Sequence, residues 1–372
     1  MTTITHFAKF FPPDLGGIES VTATLARGAQ QSGNKVSIVC FSREGGHIQE
    51  VMEGVEVQRA PTCLQVASQP LGLRYCFNCL KAGRGSDIVH VHTPNILAAL
   101  CALFIPKRVS VVVHWHSDII GKKLLGLVVV PIEKMLLMRA TRIVATSHDY
   151  AACSHALRGF EDKTDVIPLG VPDPMLNHRG YSLPNYIEKL IEGKKLILSV
   201  GRLVPYKGYE VLIDAAKNLD DRSIVLIVGR GPAKSGLNDL IKETGQTEKV
   251  KLLGSLDNDS IAALYERADI FCLPSITRAE AFGVVLIEAM SYSVPIVTTK
   301  IPGSGVPSVN KHGVSGLNVE VCDGPALAEA CNNVLSSTLL SEKLSKNGRL
   351  RFEENFTEEA FVNAILDLYA KL

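Results

Sequence analysis

Short runs of apolar and β-branched residues alternate with longer amphipathic stretches along the chain. This alternation predicts parallel strands joined by crossover helices. A Pro- and Gly-rich segment at 168–184 interrupts the pattern, and the alternation then starts again. We therefore expect an α/β protein with two Rossmann-like domains. After a first strand near the N-terminus, strands are expected at 35–41, 54–60, 87–91, 110–114, 141–145, 163–167, 196–200, 223–228, 250–253, 270–273, 295–298 and 316–319.

The two domains are expected at 1–172 and 173–356. An amphipathic helix at 357–372 follows them and is a candidate to pack back on the N-terminal domain. Ligands of open α/β sheets bind beyond the carboxyl ends of the strands, so two such units in succession imply two sheets that face each other across a central cleft. Functional residues should therefore lie in the loops that follow strands.

Composition and charge exclude some classes of function and indicate where the protein works. The chain has 372 residues with a formal net charge of +1, whereas a nucleic-acid-binding protein usually has a strongly basic balance, so nucleic acid is not an expected partner. The N-terminus lacks the cationic and apolar regions of a secretory signal, which predicts a cytoplasmic location. The nine cysteines are scattered through mostly apolar segments and are expected to be reduced thiols of the core.

One segment, 119–142, combines an apolar run with cations. The run at 124–132 is shorter than the roughly 20 residues that a bilayer-spanning helix needs, and it contains Pro131. Two interpretations stay open: binding to a membrane surface, or a core helix whose long cationic side chains reach water. The cations are Lys122, Lys123, Lys134, Arg139 and Arg142.

Two loops after strands are suited to bind an anion. Gly16 and Gly17 precede a helix, where glycines let the backbone approach a ligand and the helix N-terminus offers free N–H groups. Arg202 and Lys207 follow the strand at 196–200, and a guanidinium and an ammonium group together can neutralise a pyrophosphate. A simple turn would also explain the glycines, and a charged surface the two cations.

Two carboxylates occur eight positions apart near the C-terminal end of the second strand series. Glu280 is expected in the loop after the strand at 270–273, and Glu288 two turns into the next helix. Two hydroxyl-binding carboxylates around a helix N-terminus suit a nucleotide-linked sugar, which has diols at each end and phosphates between them. A loop Glu and a solvated helical Glu are the alternative.

With these motifs in this order, the sequence resembles the retaining glycosyltransferases of family 4, from the Gly16-Gly17 loop to the C-terminal helix. The resemblance implies the GT-B fold, in which two Rossmann-like domains face each other, and a nucleotide diphosphate sugar as donor. The matching segments are 16–19, 87–92, 113–118, 166–170, 201–203, 207–208, 229–232, 253–254 and 280–288.

The resemblance also implies roles for single residues. Arg202 and Lys207 would bind the donor diphosphate, and Glu288 would bind the ribose of the nucleotide. Gly16 and Gly17 would line the donor site from the N-terminal domain. The segment 250–253 would form the edge that reads the base.

The transferred sugar would be held by the residues that remain. The resemblance implies that Glu280 and His116 contact this sugar, together with the backbone of Phe282, Gly283 and Val284. With Arg202 and Lys207, Glu280 and His116 form the expected catalytic set, which uses neither a metal nor a cofactor. Retention would come from attack on the face from which the phosphate leaves, with the phosphate oxygen taking the acceptor's proton.

Around 113–118 the chain is similar to O-antigen mannosyltransferases. This similarity implies transfer of mannose from GDP-mannose in the synthesis of bacterial lipopolysaccharide. A lipid-linked saccharide is the expected acceptor on the same similarity together with the basic apolar segment 119–142. The enzyme would then work in the cytoplasm, peripheral to the cytoplasmic face of the inner membrane. UDP-linked GlcNAc, Gal or Glc is the alternative donor.

Two other classes of function remain open. The pairs His90-x-His92 and His114-x-His116 end neighbouring strands, and alternate strand residues share a face, so four imidazoles could surround zinc in a metallohydrolase. A non-catalytic sugar-binding protein that closes about a hinge is the third class. Asp257 and Asp259 resemble a metal-binding acid pair but are also suited to cap a helix at 260–267.

Overall fold

The computed structural model describes residues 1–14, 16–43, 45–66, 69–119, 123–177 and 180–372, with the backbone alone for 123–128 and 177. The chain divides into two compact units. The N-terminal unit comprises Met1–Val171 together with Glu358–Leu372, and the C-terminal unit comprises Pro172–Thr357. Among the described residues, no helix has the length and apolar character needed to cross a membrane.

The N-terminal unit is built on a twisted sheet of eight strands within its described part, in the order β10-β9-β8-β7-β1-β2-β4-β3. All pairs are parallel except β3 with β4, and β5 and β6 form a separate hairpin. The strands are β1 (Thr3–Phe7), β2 (Lys35–Ser42), β3 (Ile48–Met52), β4 (Val55–Pro61), β5 (Leu64–Val66), β6 (Gln69–Leu71), β7 (Ile88–Thr93), β8 (Ser110–Trp115), β9 (Arg142–Ala145) and β10 (Thr164–Val166).

The central strands β7 and β8 are buried almost throughout, as expected where helices cover both faces of a parallel sheet. The helices of this unit are α1 (Gly17–Gln31), α2 (Leu73–Arg84), α3 (Ile96–Leu103), α4 (Lys123–Arg139) and α5 (His148–Cys153), and the C-terminal helix Glu358–Tyr369 joins them.

The C-terminal helix packs on α1. A Cβ at Gly28 would lie 2.5 Å from Val362 Cγ1, so only glycine allows this approach of the two helices. Arg27 donates a hydrogen bond to Glu358 at 2.8 Å, at the first residue of the C-terminal helix. The last helix of the chain is therefore part of the N-terminal unit.

The C-terminal unit has a parallel sheet, of six strands among its described residues, in the order β13-β12-β11-β14-β15-β16. The order reverses direction between β11 and β14, which is the topological switch point where α/β sheets bind ligands. The strands are β11 (Lys195–Val200), β12 (Ser223–Val228), β13 (Val250–Gly254), β14 (Ile270–Leu273), β15 (Ile296–Thr299) and β16 (Gly316–Val319).

Helices cover the two faces of this sheet, and the buried side chains of β11, β12, α7 and α12 form a core on one face. The helices are α6 (Asn185–Ile191), α7 (Tyr209–Ala215), α8 (Lys234–Glu243), α9 (Asn258–Arg267), α10 (Val284–Ser291), α11 (Val306–Val309), α12 (Gly324–Ser336) and α13 (Thr338–Asn355).

The prediction that the cysteines belong to the core is wrong for part of the set. All nine cysteines, each of them among the described residues, are outside any disulfide, but Cys63, Cys153 and Cys322 are exposed and Cys76 is half-buried. The exposed thiols lie between β4 and β5, at the end of α5, and in the turn before α12. Local apolar neighbours in sequence do not bury a residue at the end of an element.

Candidate active site

A buried ion pair lies at the switch point of the C-terminal sheet. Lys207 follows β11 and Glu280 follows β14, and since these strands are neighbours their loops meet at one edge of the sheet. Lys207 Nζ lies 2.6 Å from Glu280 Oε2. The residues are only 7% and 8% exposed. The family resemblance implies that Lys207 binds the diphosphate and that Glu280 binds the sugar. In the structure these two residues form an ion pair with each other.

The close approach of the two loops depends on a glycine. Gly208 adopts φ +65°, a left-handed conformation that side chains disfavour. A Cβ at this position would lie 2.2 Å from the carbonyl oxygen of Pro274, in the loop after β14. Any larger residue at 208 would push the loops apart and separate Lys207 from Glu280.

Glu280 is held on several sides. Ser275 Oγ donates a hydrogen bond of 3.0 Å to Glu280 Oε2, the oxygen that also contacts Lys207. The backbone N–H of Glu280 donates to Thr277 O at 3.0 Å, and Ser304 Oγ donates to the carbonyl oxygen of Glu280. The carboxylate therefore has a fixed position and one oxygen, Oε1, that these contacts do not use.

Burial by itself lowers the pKa of Lys207, but the Glu280 carboxylate, with Tyr206 and Tyr209, outweighs burial, so that the pKa lies above its ordinary value. Lys207 therefore stays a cation at neutral pH. An ammonium group has three donors, and the ion pair with Glu280 uses one.

Arg202 differs from Lys207 in its surroundings. The residue is exposed, and within the described part of the chain its side chain has no hydrogen bond or ion pair. The Tyr206 hydroxyl shows that Arg202 lies near this pair. Burial raises the pKa of Tyr206, and the charges of Lys207 and Arg202 lower it. The Glu280 carboxylate raises it, so all three charged groups act on this one hydroxyl. Arg202 is thus a cation near the pair that is free to bind an anion.

Glu288 is the fifth residue of α10, about one turn from its N-terminus, so the prediction of two turns is wrong. Tyr265 in α9 donates its O–H to Glu288 Oε2 at 2.9 Å. Burial raises the pKa of Glu288, while the hydrogen bond from Tyr265 and the Lys207 charge lower it, and burial dominates. The sequence analysis missed Tyr265, which only the packing of α9 near α10 reveals.

The N-terminus of α10 follows Glu280 directly. Phe282 is buried, Val284 is half-buried, and Gly283 between them adopts φ +82° as the N-cap. The free N–H groups of this first turn, an anion-favouring feature, are therefore three residues from the Lys207–Glu280 pair.

In the N-terminal unit, His116 follows β8 and is buried. Its Nε2 forms a hydrogen bond of 3.0 Å with His92 Nδ1, and its ring stacks on His114 with centroids 4.1 Å apart. Burial lowers the pKa of His116 to about 3, so this imidazole is neutral at pH 7. It can donate one hydrogen bond and accept another.

His116 belongs to what we call the imidazole cluster: His6, His90, His92, His114 and His116. Strand register builds it, because His6 on β1 is opposite His90 on β7, and His92 is opposite His114 on β8. The sequence analysis missed His6, although its place at the end of the strand beside His90-x-His92 was a usable signal.

The zinc interpretation can be compared with this geometry. Ring nitrogens of His90, His92 and His114 lie within 4.8 Å of one another. However, the His92 ring stacks on His90 and on His114 with interplanar angles of 23° in both cases. Stacked rings direct their in-plane lone pairs alongside one another, whereas tetrahedral zinc needs lone pairs that converge.

The Glu19 carboxyl group lies against the N-terminus of α1. A Cβ at Gly16 would lie 2.2 Å from Glu19 Oε2, so the Glu19 side chain folds back over Gly16. Burial raises the pKa of Glu19, and its own backbone N–H, Lys9 and Arg43 lower it less. The helix N-terminus after Gly17 was expected to offer free N–H groups to a ligand anion, and Glu19 competes for this place.

The remaining acid motif is a helix cap. Asp257 Oδ1 accepts a hydrogen bond of 2.7 Å from Ser260 N at the start of α9.

Of the ten predicted site residues, Gly16, Gly17 and His116 belong to the N-terminal unit and the others to the C-terminal unit. A depression of about 360 Å³ is lined by Val250–Leu253, the expected base-reading edge, but by none of the charged residues above.

Comparison with known proteins follows the two units. Residues 15–173 match the family described as Glycosyltransferase Family 4, and residues 186–351 match the Glycosyl transferases group 1 family. The O-antigen chain mannosyltransferase C of Escherichia coli is 30% identical over 374 residues, covering 100% of this chain and 99% of the relative. The D-rhamnosyltransferase WbpZ of Pseudomonas aeruginosa is 30% identical over 369 residues, covering 95% and 92%.

A similar solved structure is that of HepE from Anabaena in complex with UDP-glucose. It is 19% identical to this chain, covers 100% of both chains, and superposes with a TM-score of 0.81. At this identity the match shows a common fold.

Proposed function

This chain is a glycosyltransferase of family 4 with the GT-B fold, and on that premise we propose that it transfers a hexose from a nucleotide diphosphate sugar to a lipid-linked saccharide in the synthesis of bacterial surface polysaccharide. Mannose from GDP-mannose is the proposed donor, because a full-length relative is an O-antigen chain mannosyltransferase. The observation that carries the proposal is the pair of cations, Arg202 and Lys207, near a fixed carboxylate at the switch point.

Arg202 and Lys207 would neutralise the diphosphate as it leaves. Negative charge on this group grows as the bond to the sugar breaks, so fixed cations stabilise the transition state more than the ground state. Lys207 is already positioned by Glu280 at 2.6 Å and needs no reorganisation to act. Arg202, which is exposed, would contact the diphosphate from the solvent side.

Glu280 and Glu288 would bind hydroxyl groups on either side of the diphosphate. The free Oε1 of Glu280 is suited to accept a hydrogen bond from the transferred sugar, and Glu288 one from the ribose. His116 would contact the same sugar with its second ring nitrogen. Phe282, Gly283 and Val284 would supply backbone N–H groups at the start of α10.

We propose that the transfer retains configuration and needs no metal or cofactor. The acceptor oxygen would form its bond to the anomeric carbon on the face from which the phosphate departs. The bond from this carbon to the phosphate oxygen would break, and that oxygen would take the acceptor's proton. Two protein cations would then serve the leaving group in place of a divalent ion.

The donor can be identified with a panel of nucleotide sugars. The two full-length relatives transfer mannose and D-rhamnose, which differ at the 6-hydroxyl group, so the panel should hold GDP-mannose, GDP-D-rhamnose and UDP-linked GlcNAc, Gal and Glc. We expect GDP-mannose to raise the melting temperature most and to be turned over. Greater stabilisation by a UDP-sugar would replace the donor assignment, and binding without turnover would indicate a sugar-binding protein.

The acceptor proposal includes contact with the membrane surface. Apolar side chains on α4 and at the end of α3 are exposed: Phe104 at 70%, Val130 at 60% and Met138 at 64%. Two of the expected cations are engaged within the protein, since Arg139 donates to the carbonyl of Val109 and Arg142 pairs with Asp165. The apolar residues therefore support membrane contact better than these arginines do. Lys122 lies outside the described residues, as does the side chain of Lys123, and Lys134 is exposed.

This contact can be tested by sedimentation with vesicles of phosphatidylethanolamine and phosphatidylglycerol. Changing Val130 and Met138 to Ser should reduce the bound fraction. A control variant, Leu339→Ser, alters a still more exposed apolar residue of the C-terminal unit and should bind as the wild type does. Equal binding by all three proteins would remove α4 from the membrane proposal.

A further inference from the structure

The imidazole cluster contains two separate chains of hydrogen bonds. In the first, His6 Nδ1 bonds to His92 Nε2 at 3.0 Å, and His92 Nδ1 bonds to His116 Nε2 at 3.0 Å. In the second, the Tyr369 hydroxyl bonds to His90 Nδ1 at 2.5 Å, and His90 Nε2 bonds to His114 Nδ1 at 3.3 Å. Only the first chain reaches a proposed catalytic residue.

The first chain links the tautomers of its members. A neutral imidazole has one N–H and one bare nitrogen, so each ring of the chain donates on one side and accepts on the other. If the chain runs from His6 to His116, then His116 Nε2 accepts and its proton lies on Nδ1. If it runs in the opposite direction, His116 Nε2 donates to His92 and Nδ1 is bare.

The end of the chain favours one direction. His6 Nε2 is buried and, among the described residues, has no hydrogen-bond partner. The reverse direction would leave an N–H on this atom with no acceptor, and orphaned buried N–H groups are rare in native proteins. The direction from His6 to His116 avoids this orphan donor and places the free proton of His116 on Nδ1.

The same dead end excludes a proton wire as the purpose of the chain. A proton that reached His6 Nε2 would have no acceptor there. Burial lowers the pKa of both His6 and His116 to about 3, so neither ring takes up an additional proton near pH 7. The chain can therefore orient His116 but has no outlet through which to move its proton.

We propose that His92 and His6 are positioning residues, which hold His116 as the neutral tautomer with its proton on Nδ1 so that this N–H donates a hydrogen bond to the transferred sugar. The inference rests on the proposed contact between His116 and that sugar. His114, which stacks on His116 at an interplanar angle of 12°, restricts the tilt of the ring. The tautomer and the tilt are thus set by different neighbours.

The tautomer can be observed in the full chain without an assay of activity. Uniform nitrogen-15 labelling of histidine and long-range proton–nitrogen correlation spectra at pH 7.5 distinguish the two neutral forms, and His116→Gln assigns the signal. We expect His116 to carry its proton on Nδ1. A proton on Nε2, or a mixture of both forms, would overturn the inference whether or not the chain transfers mannose.

The variant His92→Phe removes the partner of His116 Nε2 while filling the same space. We expect it to lower kcat about 10-fold with little change in the donor KM, because the lost hydrogen bond acts on the sugar in the transition state. It should also abolish the single Nδ1–H form of His116. His92→Asn, which keeps a donor and an acceptor, should recover part of kcat.

The matched control is His90→Phe. His90 is as buried as His92 and belongs to the same cluster, but its nitrogens bond to Tyr369 and His114. It should lose stability and keep both kcat and the His116 signal. Equal kcat in His92→Phe and the wild type would overturn the positioning role, as would one equivalent of zinc in the purified protein.

The same experiments separate this inference from the proposed function. If His116→Gln keeps full turnover, the contact of His116 with the sugar is wrong, and the wild-type spectrum still decides whether the chain fixes the tautomer. If turnover is lost in His116→Gln but not in His92→Phe, the catalytic role stands and the positioning role fails.

Discussion

The two sheets bury different kinds of titratable group at their switch points: charged residues in the C-terminal sheet and neutral imidazoles in the N-terminal sheet. At the switch point of the C-terminal sheet, between β11 and β14, the chain buries an ammonium group and a carboxylate 2.6 Å apart. At that of the N-terminal sheet, between β1 and β7, it buries imidazoles that burial makes neutral. In both sheets the site lies between two neighbouring parallel strands after which the chain continues toward opposite edges of the sheet. The loops that follow these two strands therefore begin side by side.

The difference shows two ways to bury a titratable group. A buried lysine and a buried glutamate at neutral pH stay charged only if each offsets the other, so each depends on its partner. An imidazole with an ordinary pKa near neutrality can lose its proton and needs only hydrogen bonds. We therefore expect the C-terminal site to fail when one residue is changed, and the N-terminal site to fail when the pH is lowered.

The largest expected effect comes from Lys207→Met. It leaves the Glu280 carboxylate buried without its cation, which should lower the free energy of unfolding by about 3 to 5 kcal/mol and abolish turnover. The double variant with Glu280→Gln should regain most of the stability but no turnover. Chemical denaturation and a transfer assay measure both quantities.

The control for this prediction is Lys195→Met in the same unit. Lys195 pairs with Asp269 at 2.9 Å, but its side chain is 51% exposed. An exposed pair contributes about 1 kcal/mol or less, so the variant should stay near the wild type. A loss as large as that of Lys207→Met would mean that burial does not distinguish the two pairs.

Arg202→Gln should separate function from stability. The Arg202 side chain is exposed and has no hydrogen-bond or ion-pair partner in the described chain, so its removal should leave the unfolding curve unchanged. The turnover rate should fall by about 30-fold, as expected for one lost charge-assisted contact to the leaving group. Arg222→Gln, which changes a surface arginine of the same unit, should keep full turnover. If Arg202→Gln keeps full turnover as well, the diphosphate is not bound at Arg202.

The sequence predicts the C-terminal sheet well, because most of its strands are short runs of apolar and β-branched residues between polar segments. Ser223–Val228, Ile270–Leu273 and Gly316–Val319 have the bounds that the pattern predicts. It misses β3 and the β5–β6 hairpin. Most residues of β3 are exposed, so no apolar run marks it.

The residues of the site are predictable in kind but not in their contacts. Lys207 and Glu280 are 73 positions apart, and their pairing depends on the strand order, which a single sequence does not contain. Tyr265 as partner of Glu288, and His6 as the first member of its chain, depend in the same way on which elements are neighbours.

The pH prediction concerns the imidazole cluster. Burial lowers the folded-state pKa of His6 to about 3 from 6.5, so the unfolded chain binds more protons between these values. Stability is therefore fully present above pH 6.5 and is lost as the pH falls below it. His6→Phe removes one such group and should reduce the slope of unfolding free energy against pH, near pH 5, by about 1.4 kcal/mol per unit.

His155→Asn is the control for the pH slope. His155 belongs to the same unit and is exposed, so this variant removes a histidine without touching the imidazole cluster. If His6→Phe and His155→Asn gave the same slope of unfolding free energy against pH, the contrast between the two sites would be wrong. The imidazole cluster would then already be protonated in the folded protein.

The smallest expected effect concerns Tyr265, which connects packing to the proposed nucleotide site. Tyr265→Phe removes only the hydroxyl that donates to Glu288 Oε2 at 2.9 Å and keeps the stacking of the ring on Tyr292 at 5.3 Å. Without this donor the Glu288 carboxylate is less fixed, and nucleotide affinity should fall by about 5-fold, measured by calorimetry with GDP. Glu288→Ala should reduce affinity further, since it also removes the group proposed to bind the ribose. If Glu288→Ala binds GDP as the wild type does, the second carboxylate is structural and only the Lys207–Glu280 side of the switch point contacts the donor.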